Sequence, residues 1–193
     1  MTIQYYNDNA QIFVDGTVNV DMESLYSPFV KLLPDNALIL DAGCGSGRDT
    51  KAFLSMGFDV EAIDASEEMV RHATAYAGIN VKHQAFQDID APDSYDAIWA
   101  CASLLHVPQE QLLTVFSRLE KTLKAGGVWY FSFKYGNEER VKDGRTFTDM
   151  NEESISILLS QLSTLAEESV WLTLDARPDR DEKWLNVIVR KAK

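Results

Sequence analysis

The 193-residue chain holds only two cysteines, Cys44 and Cys101, too few for a disulfide framework and without the paired spacing of a zinc site, so no metal is expected. Basic residues are also scarce. Eighteen lysines and arginines face 30 acidic residues, and the net charge of −12 would oppose docking on a phosphate backbone, which disfavours nucleic acid as a partner. The acidity is spread over pairs such as Glu67-Glu68 and Glu152-Glu153, the pattern of solvated helix starts. Long apolar runs are missing: the longest, Ala97 to Leu105, is broken by Ser103 and falls far short of the roughly 20 residues a bilayer requires. The first nine residues include Asp8 and no apolar stretch, so neither a secretory signal nor a transit peptide is expected, and a cytoplasmic protein with no membrane contact is. Repeats and low-complexity tracts are absent too. What remains is 46% hydrophobic, enough for a sizeable core in a single domain spanning residues 1–193.

The most informative stretch runs from Ile39 to Arg48, I-L-D-A-G-C-G-S-G-R. Residues 37–40 are short, apolar and bounded by Pro34-Asp35-Asn36 and by glycines, which reads as a buried parallel strand with Asp41 at its carboxyl end. Gly43, Gly45 and Gly47 let the chain turn sharply and bring bare backbone against a ligand, ahead of a helix starting near Arg48-Asp49-Thr50. A dinucleotide fingerprint needs G-x-G-x-x-G, but Arg48 occupies the place of its third glycine, so NAD and an oxidoreductase are disfavoured. Asp64 closes the next apolar run 21 positions after Gly43, near the offset at which a carboxylate accepts hydrogen bonds from ribose hydroxyls.

Elements alternate from residue 37 onward in the rhythm of βαβ units. Strands are expected near 37–42, 58–63, 80–85, 95–100, 127–133, 169–174 and 184–190, and helices near 49–56, 66–77, 109–123 and 151–166. Ser66 and Pro108 mark helix starts; Gly57, Gly78 and Gly126 mark ends. Residues 1–34 form an aromatic-rich N-terminal segment with a helix over 20–33 that Ser27-Pro28 interrupts or restarts. Residues 134–147 read as a long polar loop, and 175–183 as the turn of a terminal hairpin.

With these residues assembled, D-A-G-C-G-S-G followed by A-I-D-A-S resembles the first motifs of the class I S-adenosylmethionine-dependent methyltransferases. The similarity extends over roughly residues 35–135, through Phe86-Gln87-Asp88-Ile89, the strand 95–100, the Leu-Leu-His-Val-Pro run and Lys124-Ala125-Gly126-Gly127. G-C-G-x-G-R is also similar to the small stand-alone bacterial enzymes, including the tellurite-resistance type. The resemblance implies a Rossmann-like α/β sandwich, a mostly parallel seven-stranded sheet over 35–193 with a C-terminal antiparallel hairpin, and residues 1–34 as a lid. It implies S-adenosyl-L-methionine as cofactor, with Asp41, Gly43, Cys44, Gly45, Gly47 and Arg48 near the methionine part, Asp64 on the ribose, and Ala65, Asp88 and Ile89 around the adenine; Cys44 and Cys101 follow what should be neighbouring strands, which would place them together beside the sulfonium.

Arg48 also matches a carboxylate geometrically. His106, just past the fourth strand, would face the acceptor, where a neutral imidazole can take a proton. His72 and His83 sit in helix and strand patterns as surface residues. The fourth strand lacks the N/D-P-P-Y/F quartet of nucleic-acid amino methyltransferases, which points with the charge toward a small-molecule acceptor handled by a monomer or homodimer. Tyr6 and the arginines 145, 177 and 180 are the candidate acceptor residues, since arginine forks suit an anion: Arg145, Arg177, Arg180. A non-catalytic cofactor-binding module shares every cofactor residue; only the acceptor side separates it from an enzyme.

Overall fold

The computed structural model describes residues 2–178 and 180–193. Asp179, within the turn expected over 175–183, lies outside the described residues. Three helices lead in: α1 (Thr2–Asp8), α2 (Ala10–Thr17) and α3 (Glu23–Val30). The alternating part follows as β1 (Leu38–Ala42), α4 (Arg48–Ser55), β2 (Asp59–Asp64), α5 (Glu67–Ala77), β3 (Lys82–His83), β4 (Tyr95–Ala100), α6 (Gln109–Thr122) and β5 (Leu123–Lys134). A small hairpin, β6 (Glu139–Lys142) and β7 (Arg145–Thr148), precedes α7 (Glu152–Ser160), β8 (Leu165–Leu174) and β9 (Lys183–Lys191).

The main sheet has the order β3-β2-β1-β4-β5-β9-β8. Its first four pairings are parallel, and β9 runs antiparallel between β5 and β8, so the expected mostly parallel seven-stranded sheet with an antiparallel hairpin is what the chain forms. Strand order reverses at β1, whose neighbours β2 and β4 connect in opposite directions. A crevice opens there, beyond the strands' carboxyl ends.

Both faces of the sheet are covered, which is why its central strands are apolar throughout. Ile39, Ala97, Trp99 and Tyr130 face α3 and α4, meeting Tyr26, Phe29 and Phe53. Trp99 and Tyr130 stack with centroids 3.9 Å apart. Leu40, Ile98, Trp129 and Phe131 point the other way, onto Val115, Phe116 and Leu119 of α6 and Ile155 of α7. Neighbouring residues of one strand thus enter opposite cores, as the pleat demands.

Several boundaries depart from the sequence reading. The helix placed over 151–166 stops at Ser160, because Leu165 begins an edge strand far longer than the 169–174 expected. Its start is well marked, with Asn151 and Ser154 forming a reciprocal capping box. The helix placed over 20–33 shortens to Glu23–Val30 and carries Pro28 within it. Gly126 does not end α6; it takes a left-handed conformation inside β5, three residues past that strand's start. The stretch 134–147 is not a loop but contains β6 and most of β7, joined through Asp143-Gly144, both at positive φ, with Lys142 paired to Arg145.

Candidate active site

One cleft of about 1020 Å³ lies over the carboxyl ends of the parallel strands. The loop after β1 forms one end. Gly43 sits at φ +80°, and a Cβ there would lie 2.5 Å from Cβ of Ser103, so only glycine fits; Ser103 in turn donates its hydroxyl hydrogen to the Ala42 carbonyl at 2.7 Å. Gly43, Cys44 and Gly45 border the cleft, as do Arg48, Ala65 and Cys101. Gly47 does not: it caps α4 and lies against Ala73 of α5, where a Cβ would meet the Ala73 Cα at 2.9 Å. The third glycine serves helix packing rather than a ligand.

Asp64, at the end of β2, accepts hydrogen bonds from the Gly45 amide at 2.9 Å and the Ser66 amide at 2.8 Å, one on each carboxylate oxygen. Each oxygen keeps a lone pair, so two further donors can be accepted. Burial pushes its carboxyl up, while the two amides pull it down. The same Ser66 caps α5 and donates its hydroxyl to Asn7 of α1 at 2.7 Å, which ties the N-terminal segment to this end of the cleft.

Three sequence expectations are corrected here. Asp41 is buried beneath the glycine loop, bonded by the Thr50 hydroxyl at 2.5 Å, and does not reach the cleft; burial and the nearby Asp49 push its carboxyl up to about 8. Ile89 belongs to the core under α6, and Asp88 is exposed at the end of a short 3-10 turn; Gln84, Ala85, Phe86 and Gln87 line the cleft in their place. Arg48 borders the cleft, but its guanidinium is already paired with Asp49 at 2.6 Å. Asp49 is the centre of a buried network that also takes the Tyr26 hydroxyl at 2.5 Å and the Trp99 indole N–H at 2.8 Å. Burial pushes both thiols up, Cys101 to about 12 and Cys44 well above its ordinary value, so neither is a thiolate.

The other end of the cleft is built from distant parts of the chain. His106 follows β4 and stands between Tyr6 of α1 and the backbone of β7. Its Nδ1 lies 2.7 Å from the Thr146 carbonyl, which can only accept, so Nδ1 carries the hydrogen. Nε2 is therefore the bare nitrogen, and the Tyr6 hydroxyl donates to it at 2.7 Å. Burial, with Arg145 and Lys134 nearby, lowers His106 to about 4 and keeps it neutral. Burial also raises the Tyr6 phenol, against the opposing pull of Arg145.

Arg145, Arg177 and Arg180 all border this end. Their commitments differ. Arg177 is paired with Asp175 through Nε at 2.9 Å and Nη2 at 2.5 Å, and Arg180 approaches Glu182 at 3.6 Å. Arg145 lies 4.0 Å over the Tyr5 ring and 5.1 Å from that of Phe147. Sequence reasoning passed over Asn7, Ser103, Phe86 and Phe147. Two had a local signal: Phe86 stands in the Phe86-Gln87-Asp88-Ile89 stretch of the resemblance, and the Asp143-Gly144 turn implies a hairpin whose residues 145 and 147 share a face.

Residues 39–127 match a family model described as a methyltransferase domain. A ubiquinone biosynthesis O-methyltransferase of Xanthomonas campestris pv. campestris is 32% identical over 103 residues, covering 50% of this chain and 42% of that protein. The human N-terminal Xaa-Pro-Lys N-methyltransferase 1 is 29% identical over 140 residues, covering 67% of this chain and 63% of that protein. This chain thus spans less than half the length of the ubiquinone-biosynthesis relative. Among solved structures, the Burkholderia thailandensis 1,6-didemethyltoxoflavin-N1-methyltransferase, with 1,6-didemethyltoxoflavin and S-adenosylhomocysteine bound, superimposes with a TM-score of 0.77 at 21% identity, over 99% of this chain and 85% of that one.

Proposed function

We propose, on the premise that this chain belongs to the class I S-adenosylmethionine-dependent methyltransferases, that it transfers the methyl group of S-adenosylmethionine to a small-molecule acceptor. One observation carries the reading: a single cleft joins the glycine loop and Asp64 at one end to the Tyr6–His106 pair at the other. The residues fit the cofactor. Asp64 has two unclaimed lone pairs for the two ribose hydroxyls, Gly43 and Gly45 offer bare backbone beside the methionine part, and Ala65 with Phe86 and Gln87 suits the adenine.

The cofactor brings an activated methyl carbon on a sulfonium, so the chain mainly has to align donor and acceptor and exclude water. Helices α1 and α2 act as the lid: Phe13 lies over Gly45, where a Cβ would sit 3.2 Å from its ring, and Asn7 fastens α1 to Ser66. His106 is the proton acceptor, with Nε2 bare and oriented by the Thr146 carbonyl. Tyr6 relays, giving its proton to Nε2 as it takes the acceptor's. Because burial and two cations oppose an imidazolium, this base suits an acceptor that ionises readily.

Calorimetry with S-adenosylhomocysteine and with NAD tests the cofactor assignment. Binding of the first and none of the second is expected; the reverse would overturn it. Turnover of a methyl acceptor separates an enzyme from a module that only holds the cofactor.

A further inference from the structure

The acceptor end of the cleft is cationic in a protein whose net charge is −12. Among the described residues lining it from β5 onward, Lys134, Lys142, Arg145, Arg177 and Arg180 face Asp143, Asp175 and Glu182. Five positive groups against three negative ones invert the sign of the whole molecule, and a low-dielectric cleft focuses that field on its contents. The acidic exterior would repel an anion; this end would hold one.

Most of those cations are spoken for. Asp175 takes Arg177 in a two-point pair, and Glu182 takes Lys134 at 3.2 Å and Arg180 at 3.6 Å. Lys142 is exposed to solvent. Arg145 differs from all of them: its Nε is buried and makes no hydrogen bond, and its nearest carboxylate, Asp143, stands 3.7 Å from Nη2 and is itself mostly exposed. A buried N–H without a partner is uncommon in a folded chain, and a carboxylate in the plane of a guanidinium satisfies two of its N–H groups at once. The Tyr5 and Phe147 rings hold that plane in place. Around it the walls are aromatic, with Tyr6, Phe86 and Trp184 on the same cleft.

We propose that the methyl acceptor is an aromatic carboxylate and that Arg145 is the residue that selects it, holding the carboxylate while the group to be methylated, a hydroxyl or amine elsewhere on the ring, faces Tyr6 and His106. The proposal rests on the methyl-transfer reading for what happens to that ring, but not for its capture. Arg177 and Arg180 are bystanders whose charge their own carboxylates consume. The carboxylate itself is the anchor rather than the methylated group, because the Arg145 guanidinium draws on its charge and makes it the poorer nucleophile.

The test pairs 4-hydroxybenzoate, salicylate and anthranilate with their carboxamides, which keep ring and shape and lose the charge. Each is titrated calorimetrically into the protein with and without saturating S-adenosylhomocysteine. At least one carboxylate is expected to bind about tenfold more tightly than its amide, the scale of a charge-assisted two-point contact. Arg145→Gln should erase that preference with S-adenosylhomocysteine affinity unchanged, and Arg145→Lys, which keeps the charge but not the fork, should restore part of it. Equal binding of acid and amide, a preference that survives Arg145→Gln, or no heat from any carboxylate at millimolar concentration would each overturn the proposal. Carboxylate preference without S-adenosylhomocysteine binding would instead defeat the cofactor assignment and leave the anion site standing.

Discussion

The two ends of the cleft are made in different ways. At the cofactor end the decisive groups are backbone atoms and one carboxylate, contributed by turns directly after β1 and β2, with the Gly45 amide bonded to Asp64 across 19 positions. At the acceptor end they are side chains drawn from the whole chain: Tyr6 meets His106 across 100 positions, and Thr2 meets Thr146 across 144. The first end depends on backbone conformation, so it tolerates almost no change at a few positions. The second depends on side-chain choice, so its residues can be exchanged singly without unmaking the sheet.

The largest effect should come from the backbone. Gly43→Ala combines a left-handed φ with a 2.5 Å clash against Ser103, and should lower stability by about 3 kcal/mol in denaturant titrations, taking S-adenosylhomocysteine binding with it. A stable, binding-competent variant would remove the claim that this end is fixed by conformation. Asp64→Ala should cost about 1.5 to 3 kcal/mol of S-adenosylhomocysteine affinity by calorimetry, the worth of hydrogen bonds to a charged acceptor, with the fold kept.

At the other end, Tyr6→Phe removes the hydroxyl from His106 Nε2 and should lower turnover about tenfold, with the cofactor affinity retained. Equal turnover would make Tyr6 a packing residue. Smallest of all, replacing Arg177 and Arg180 by alanine should alter acceptor binding less than Arg145→Gln does, since Asp175 and Glu182 already neutralise them.

The ends should also respond to pH in opposite directions. Asp41, under the glycine loop, has a folded-state pKa pushed up to about 8, above its unfolded value, so its contribution is present at low pH and is lost as pH rises through about 8. His106 is lowered to about 4 from an ordinary 6.5, so its contribution is present above 6.5 and is lost as pH falls toward 4. Asp41→Asn should flatten the alkaline limb of a stability profile and His106→Gln the acid limb. Each variant altering the other's limb would show that the assignment is reversed.

How much of this the sequence disclosed follows the same division. The alternating strands, the glycine loop and the strand-end place of Asp64 were legible because short apolar runs and fixed offsets encode them locally. Within that half, Gly47 and Asp41 were misplaced for a shared reason: glycine spacing and strand-end position do not tell a ligand contact from close packing, and only the approach of α5 to Gly47 and of Thr50 to Asp41 decides it. Asp88 and Ile89 failed because a 3-10 turn rotates the chain there, bringing Phe86 and Gln87 to the cleft. At the acceptor end the residue types were readable and their pairings were not. No local pattern couples Tyr6 to His106, or reveals that Asp175 claims Arg177 while Arg145 keeps a free N–H.

The division between the ends is tested most directly by measuring S-adenosylhomocysteine affinity and acceptor turnover side by side in Asp64→Ala and Tyr6→Phe. Asp64→Ala is expected to weaken S-adenosylhomocysteine binding by tenfold or more and Tyr6→Phe to leave it unchanged while turnover falls, about 1.4 kcal/mol corresponding to each factor of ten. Full affinity in a folded Asp64→Ala protein, or a loss of affinity in Tyr6→Phe as large as in Asp64→Ala, would contradict it.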